Sequence, residues 1–250
     1  MGGYFRKIGQ TQKATPFKNP LKNPLIIALD VDSDQQALKL AHDLAPYAGA
    51  FKIGPRLGYR YGQKIVQEIS KLAPVFVDNK YFDIPSTIEA AVQASFYSGA
   101  SLVTVHALSG LETLQSLAKL EAELQKERPF IILNVTLLTS WDQNSLPTNF
   151  KKQSVEKHVQ ELVDLVKQSH LSGLVCSAQD LSSIDTTGLF VVTPGIRFEE
   201  DNKSEQKRVM APSAAIKAGA KGLVVGRPII EAKNPIEKAK SFLEVINAKQ

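Results

Sequence analysis

Charged residues directly follow an apolar run in the stretch VFVDNKYFDIPST, residues 75–87. Asp78 and Lys80 are two positions apart, so their side chains project from the same face of an extended segment. A lysine that stays protonated beside a carboxylate can donate a proton to a substrate and can stabilise negative charge on it. The stretch therefore predicts an electrostatic and acid–base site at the end of a buried strand.

Further polar side chains occur inside or directly after other apolar runs. Lys52 lies inside one of them, where a charge must either face an open cavity or be paired. The other candidates at the ends of apolar runs are Asp30, His106, Thr136, Thr139, Arg197 and Arg227. For any single one of these, a strand end that meets solvent is an equally good explanation.

The whole set favours a site over that simpler explanation. We expect Asp30 and Lys52 to join the first charged pair in an array of alternating charge, in which the carboxylates keep the lysines protonated. A protonated lysine is a poor candidate for Schiff-base chemistry, which needs the free amine. His106 either assists this site or makes a structural hydrogen bond.

Two glycine–arginine motifs near the C-terminus predict a phosphate site. The runs VVTPGIR and LVVGRPI contain Gly195 with Arg197 and Gly226 with Arg227. Glycine allows backbone N–H groups to approach a phosphate, and an arginine guanidinium can bind it through two parallel hydrogen bonds. Together the motifs predict a small phosphorylated substrate.

From residue 25 onward, short apolar runs alternate with segments of helical periodicity, as is typical of repeated βα units. The predicted strands are LIIALD, AFKIG, PVFVDN, SLVTVHA, FIILNVT, GLVCS, LFVVTPG and KGLVVGR. Eight such units in about 225 residues predict an α/β fold, a single-domain TIM (β/α)8 barrel. The active site of that fold lies at the C-terminal ends of the strands, where the polar candidates occur.

The excess positive charge is confined to the N-terminus. The 250-residue chain has a net charge of +5, and residues 1–23 contain five basic and no acidic residues. We expect residues 1–23 to form a basic, flexible extension and residues 24–250 to form the barrel. A targeting or docking role of the extension stays open. The balanced charge of the barrel disfavours a nucleic-acid-binding face.

Composition disfavours a membrane protein and a disulfide-stabilised protein. No apolar run approaches the roughly 18 residues of a membrane span, and the N-terminus lacks the apolar centre of a signal peptide. The only cysteine, Cys176, cannot form an internal disulfide, and its apolar surroundings are typical of a buried residue. We expect a soluble cytoplasmic protein.

These motifs resemble the orotidine 5′-phosphate decarboxylase family over nearly the whole chain, from about residue 25 to 247. The matching pieces, in the family's order, are ALD, FKIG, DNKYFDIPST, TLLTS, VCSAQ, VTPGIR, the region of Gln206 and VGRP. The resemblance implies decarboxylation of orotidine 5′-monophosphate to UMP, the last step of de novo pyrimidine nucleotide synthesis, without a metal or organic cofactor. The chain departs from many bacterial relatives at Phe82, where they have His, and at Ser86, where they have Asn.

The resemblance also implies roles for individual residues. Lys80 would protonate C6 of the pyrimidine, and the charged network would consist of Lys52, Asp78, Lys80 and Asp83. The substrate-binding residues would be Asp30, Lys52, Asp78, Lys80, Asp83, Ile84, Thr87, Thr139, Arg197, Gln206, Gly226 and Arg227. The last four would line the phosphate end, and the loop 197–207 would close over the nucleotide. The implied assembly is a homodimer in which Asp83 and Thr87 complete the neighbouring site.

Two other functions stay open. A sugar-phosphate decarboxylase or aldolase of the same barrel group shares the Asp-x-Lys-x-x-Asp segment but uses a magnesium ion. A catalytically inactive nucleotide-binding or regulatory protein would keep only the barrel, although the intact charged set speaks against it.

Overall fold

The structure, a computed structural model, describes residues 18–150, 152–201 and 209–248. Within these ranges eight parallel strands form a closed barrel in sequence order, and the last strand pairs with the first. The strands are β1 (Leu25–Ala28), β2 (Ala50–Ile53), β3 (Val75–Tyr81), β4 (Ala100–His106), β5 (Ile131–Val135), β6 (Gly173–Val175), β7 (Phe190–Thr193) and β8 (Gly222–Val225). The predicted TIM barrel is confirmed.

Helices surround this barrel. They are α1 (Asp34–Leu44), α2 (Pro55–Ser70), α3 (Pro85–Tyr97), α4 (Leu111–Leu124), α5 (Val155–Ser169), α6 (Pro212–Lys217), α7 (Arg227–Ile230) and α8 (Pro235–Asn247). In the part of the chain that the structure describes, none of the helices is long and apolar enough to cross a membrane.

Capping residues explain where several helices begin. The side chains of Ser33, Ser154 and Asn234 each accept a hydrogen bond from the backbone N–H three residues further on. These bonds satisfy donors that have no partner within the first helical turn. Pro55 and Pro85 occupy first helical positions, where the missing N–H costs nothing.

The strands are buried on both faces, which explains why their sequences are continuously apolar. In β1, Ile26 and Ala28 belong to the cluster inside the barrel. Leu25 and Ile27 belong to the larger cluster between the strands and the helices. Alternate residues of one strand thus fill two separate cores, as parallel strands covered by helices require.

The connection after β6 differs from the other βα units. It contains one turn of 3-10 helix, Asp180–Ser182, in place of an α-helix. The segment AQDLSSIDTTG has no apolar repeat of helical period and is rich in turn-forming residues. This face of the barrel is therefore covered by a short polar connection.

Residues 18–23 of the predicted extension lie against the N-terminal end of the barrel. Leu21 packs into the inner cluster, and the Lys22 N–H donates to the Gly49 carbonyl at 3.2 Å. The rest of the extension, residues 1–17, lies outside the described residues.

A bulge in β3 positions the charged pair. Val77 pairs with Val103 of β4, whereas Tyr81 pairs with Val105. Four steps along β3 therefore correspond to two steps along β4, so β3 carries extra residues here. Lys80 lies in this bulge with φ of +49°, in the left-handed region that residues with a side chain rarely adopt.

Candidate active site

A cavity of about 350 Å³ opens at the C-terminal ends of the strands. Eight of the predicted substrate-binding residues line it: Asp30, Lys52, Asp78, Lys80, Thr139, Arg197, Gly226 and Arg227. They come from the ends of six strands or the loops that follow them, so the closed barrel brings distant parts of the sequence together.

The four charged residues nearest β1 to β3 form an array of alternating charge. Lys52 Nζ lies 3.1 Å from Asp30 Oδ1 and 3.6 Å from Asp78 Oδ2. Lys80 Nζ lies 2.8 Å from Asp78 Oδ1. The order is carboxylate, ammonium, carboxylate, ammonium, and each inner group contacts two groups of opposite charge.

The two inner groups of the array, Lys52 and Asp78, are largely buried. The side chains of Lys52 and Asp78 are 11% and 14% exposed, against 38% for Lys80. Burial alone would raise the pKa of Asp78, but the charges of both lysines and hydrogen bonds from Lys80 and Thr104 outweigh it and lower that pKa. Asp78 is therefore a carboxylate at neutral pH.

Sequence reasoning missed Thr104, which contacts both members of the charged pair. Its side chain is fully buried on β4. Thr104 Oγ1 accepts a hydrogen bond from the Lys80 N–H at 2.9 Å and donates one to Asp78 Oδ1 at 3.0 Å. Thr104 is two residues after Leu102, which faces the barrel interior, so the alternation of strand faces was the one signal that could have indicated it.

Apolar side chains form much of the remaining cavity wall. They include Phe76, Val135, Val175, Val192 and Val224, which also belong to the inner cluster. Such a wall excludes water and strengthens electrostatic interactions inside the cavity. An uncharged, planar ring of a ligand would fit against this apolar wall better than a charged group would.

The loop after β7 and the start of α7 contribute the two cavity arginines. Gly195 has φ of +80°, a backbone conformation that favours glycine. The Arg197 N–H donates to the Met210 carbonyl, and the Met210 N–H donates to the Gly195 carbonyl, both at 3.2 Å. The Arg197 side chain is buried and lines the cavity together with Arg227. Gln206, the fourth residue predicted for the phosphate end, lies outside the described residues.

Three predicted site residues do not reach this cavity. Asp83, Ile84 and Thr87 are exposed and are absent from its wall. The Asp83 carboxylate instead accepts a hydrogen bond from the Ile84 N–H at 2.6 Å. Within the chain, Asp83 is therefore not part of the charged array.

The structure gives His106 and Thr136 structural contacts. His106 Nδ1 accepts a hydrogen bond from the Leu108 N–H at 3.3 Å, and its ring packs 5.8 Å from that of Phe82. Burial and the nearby charge of Lys80 lower the pKa of His106. The Thr136 hydroxyl donates to a backbone carbonyl of β6 at 3.1 Å. Neither residue lines the cavity.

Within residues 18–150, 152–201 and 209–248, no three His, Cys, Asp or Glu side chains are grouped so that they could hold a metal ion. Asp30 and Asp78 each face a lysine ammonium.

Comparison with known proteins gives the family. The model of the "Orotidine 5'-phosphate decarboxylase / HUMPS family" matches residues 23–242. The chain belongs to this family.

Individual relatives agree with the family match. The chain is 40% identical over 225 residues to orotidine 5'-phosphate decarboxylase of Carboxydothermus hydrogenoformans, covering 88% of this chain and 94% of that one. It is 39% identical over 219 residues to the enzyme of the same name from Pseudoalteromonas translucida, covering 84% and 92%. The crystal structure of orotidine 5'-phosphate decarboxylase from Lactobacillus acidophilus superposes with a TM-score of 0.77 at 27% identity, covering 90% of this chain and all of that one.

Proposed function

We propose that this protein converts orotidine 5′-monophosphate to UMP and carbon dioxide in pyrimidine nucleotide synthesis. Family membership supports the reaction class. The observation that carries the proposal is the Lys80 ammonium, held 2.8 Å from the largely buried Asp78 carboxylate at the edge of a cavity with an apolar wall.

Charge placement supports a mechanism without a cofactor. When the bond between C6 and the carboxylate breaks, its electron pair stays on C6 as carbon dioxide leaves. The Lys80 ammonium would stabilise this carbanion and then transfer a proton to C6, which yields UMP. Lys80 would regain its proton from solvent, while Asp78 keeps the lysine in place throughout.

The remaining cavity residues would orient the substrate. Arg197 and Arg227 offer planar donor groups to the phosphate. Asp30, whose carboxylate already contacts Lys52, offers acceptors to the ribose hydroxyl groups, and Thr139 offers a hydroxyl. Phosphate binding far from C6 would supply energy that positions the pyrimidine against Lys80.

We further propose that the protein is a homodimer with shared active sites. Asp83 and Thr87 are exposed and do not line the cavity of their own subunit, which supports a role in the neighbouring one. Phe82 and Ile84, beside Asp83, are 63% and 64% exposed. Large apolar side chains that are exposed together typically mark an interaction surface.

A spectrophotometric assay tests the proposed reaction. Adding the protein to orotidine 5′-monophosphate should deplete the absorbance of the substrate and produce UMP. Activity should survive EDTA, because no metal ion takes part in the proposed step. Absence of turnover in a folded protein that binds UMP would overturn the proposal, and magnesium-dependent activity on a sugar phosphate would favour the alternative enzyme of the barrel group.

A further inference from the structure

We propose that Thr104 is a positioning residue that holds both Asp78 and Lys80 in the geometry needed for catalysis. This inference rests on the proposed function and adds a residue to its machinery. Thr104 does not line the cavity, so it acts through its two neighbours and not on the substrate.

The direction of both hydrogen bonds of Thr104 is fixed by chemistry. A hydroxyl has one proton to donate and lone pairs to accept. The ionised Asp78 carboxylate can only accept, so the hydroxyl proton points to Asp78 Oδ1, 3.0 Å away. The Lys80 N–H can only donate, so it points to Thr104 Oγ1, 2.9 Å away. One hydroxyl thus links the backbone of Lys80 to the carboxylate that pairs with its side chain.

The bond to the Lys80 N–H compensates for the bulge in β3. The register shift between Val77 and Tyr81 removes the regular ladder partners from the residues between them. A buried N–H without an acceptor costs free energy, and the left-handed backbone of Lys80 adds strain. Thr104 supplies the acceptor and so favours the conformation in which the Lys80 side chain points into the cavity.

The bond to Asp78 fixes the orientation of its carboxylate. Oδ1 contacts both the Thr104 hydroxyl and Lys80 Nζ, whereas Oδ2 faces Lys52 at 3.6 Å. Each carboxylate oxygen therefore serves a different lysine. Without the hydroxyl, Asp78 could rotate toward Lys52, and Lys80 would lose the partner that holds its ammonium at the cavity edge.

A substitution series separates positioning from simple core packing. Thr104→Val removes both hydrogen bonds and keeps a similar side-chain size, whereas Thr104→Ser keeps the hydroxyl and removes a methyl group. We expect Thr104→Val to lower kcat by about tenfold to a hundredfold while KM and UMP affinity change by less than about threefold. Thr104→Ser should keep kcat within about threefold of the unmodified protein.

The pH profile gives a readout that packing alone would not change. In Thr104→Val, Asp78 loses a hydrogen bond to its charged form, so its pKa should rise. The acidic limb of the kcat profile should therefore move to higher pH than in the unmodified protein and in Thr104→Ser. A crystal structure of Thr104→Val should also show Asp78 or the Lys80 backbone displaced.

The outcomes distinguish this inference from the proposed function. If the unmodified protein has no turnover, the proposed function is wrong. The crystal structure of Thr104→Val then tests the positioning role by itself, because unmoved Asp78 and Lys80 would contradict it. An active protein whose Thr104→Val variant has normal kcat and an unshifted pH profile overturns the positioning role.

If Thr104→Val does not fold, Thr104→Cys replaces it, because a thiol donates and accepts hydrogen bonds only weakly. A Cys variant as active as the Ser variant would overturn the inference.

Discussion

Among the two lysines of the array, the structure favours Lys80 over Lys52 as the group that can give up a proton. Lys52 Nζ is held by two carboxylates and is the more buried of the two. Lys80 Nζ contacts one carboxylate and remains 38% exposed at the cavity edge. Proton transfer from Lys52 would leave two carboxylates facing a neutral amine, whereas Lys80 could lose its proton beside an Asp78 that Lys52 still neutralises.

We therefore expect Lys80→Ala to lower turnover by at least about a thousandfold, because the proton donor and the charge that stabilises the carbanion are both lost. UMP affinity should change by less than about tenfold, since the arginines and Asp30 remain. The measurements are orotidine 5′-monophosphate depletion and calorimetric titration with UMP. Lys64→Ala, at an exposed position of α2, is the matched control. Near-normal turnover of Lys80→Ala would overturn its assignment as proton donor.

The sequence was sufficient to predict that Asp78 and Lys80 share a face, since strand alternation is a local property. It was insufficient for the left-handed backbone of Lys80 and the contact with Thr104. Both depend on a register shift between β3 and β4, and the pairing of two strands is not encoded in either strand alone.

At the scale of elements, apolar runs were enough to predict all eight strands, because each strand is buried on both faces. The runs did not predict that β3 continues as a strand to Tyr81, since its last four residues are polar or aromatic and only partly buried. They also did not predict that Glu121 is buried, because a Glu within a helix is usually exposed.

Glu121 joins α4 to β5. Its side-chain carboxyl oxygen accepts a hydrogen bond from the Ile132 N–H at 2.6 Å. The ladder between β5 and β6 begins only at Leu133 and Gly173, which explains why Ile132 needs another acceptor. The chains approach closely here, because a Cβ at Gly173 would lie 2.3 Å from the Ile132 carbonyl oxygen. Burial raises the pKa of Glu121 to about 8.

This raised pKa predicts a loss of stability with rising pH. The ordinary pKa is 4.5, so between 4.5 and about 8 the folded protein keeps a proton on Glu121 that the unfolded chain releases. Stability should therefore be highest below pH 4.5, as far as this group is concerned, and should fall until the pH passes about 8. Each pH unit can change the unfolding equilibrium constant by at most about tenfold.

Glu121→Gln should flatten the pH dependence of stability in that window, because the amide can still accept the Ile132 N–H but cannot ionise. Urea unfolding at several pH values between the two pKa values measures this slope. Glu123→Gln on the same helix is the control, since the Glu123 side chain is exposed and paired with Lys126. Equal slopes in the unmodified protein and Glu121→Gln would contradict a buried ionisable role of Glu121.

At the scale of the whole molecule, the proposed dimer surface contains two exposed apolar side chains, Phe82 and Ile84, on either side of Asp83. Phe82→Lys places a charge in this surface, and we expect it to shift the protein toward monomers in analytical ultracentrifugation. Tyr97→Lys is the control, because Tyr97 is 66% exposed at the other end of α3, near Glu127. An unchanged dimer in Phe82→Lys, or a monomeric unmodified protein, would contradict the proposed interface.

The proposed sharing of active sites makes a stricter prediction about mixed subunits. Lys80→Ala and Asp83→Ala proteins should each be inactive, yet a hybrid dimer would contain one site with both defects and one intact site. Random exchange in an equal mixture should therefore restore about a quarter of the activity of the unmodified protein, as two-fold symmetry requires. Turnover after mixing, with exchange followed by mass-labelled subunits, measures this recovery.

A second mixture decides whether recovery reflects sharing across the dimer. Lys80 and Asp78 contact each other within one subunit at 2.8 Å, so a hybrid of Lys80→Ala with Asp78→Ala subunits has a defect in each of its sites. That mixture should stay inactive under the same exchange conditions. Only a residue supplied across the interface can restore one site of a hybrid. Equal recovery in both mixtures, or no recovery in the first mixture despite complete exchange, would therefore show that Asp83 does not act in the neighbouring site.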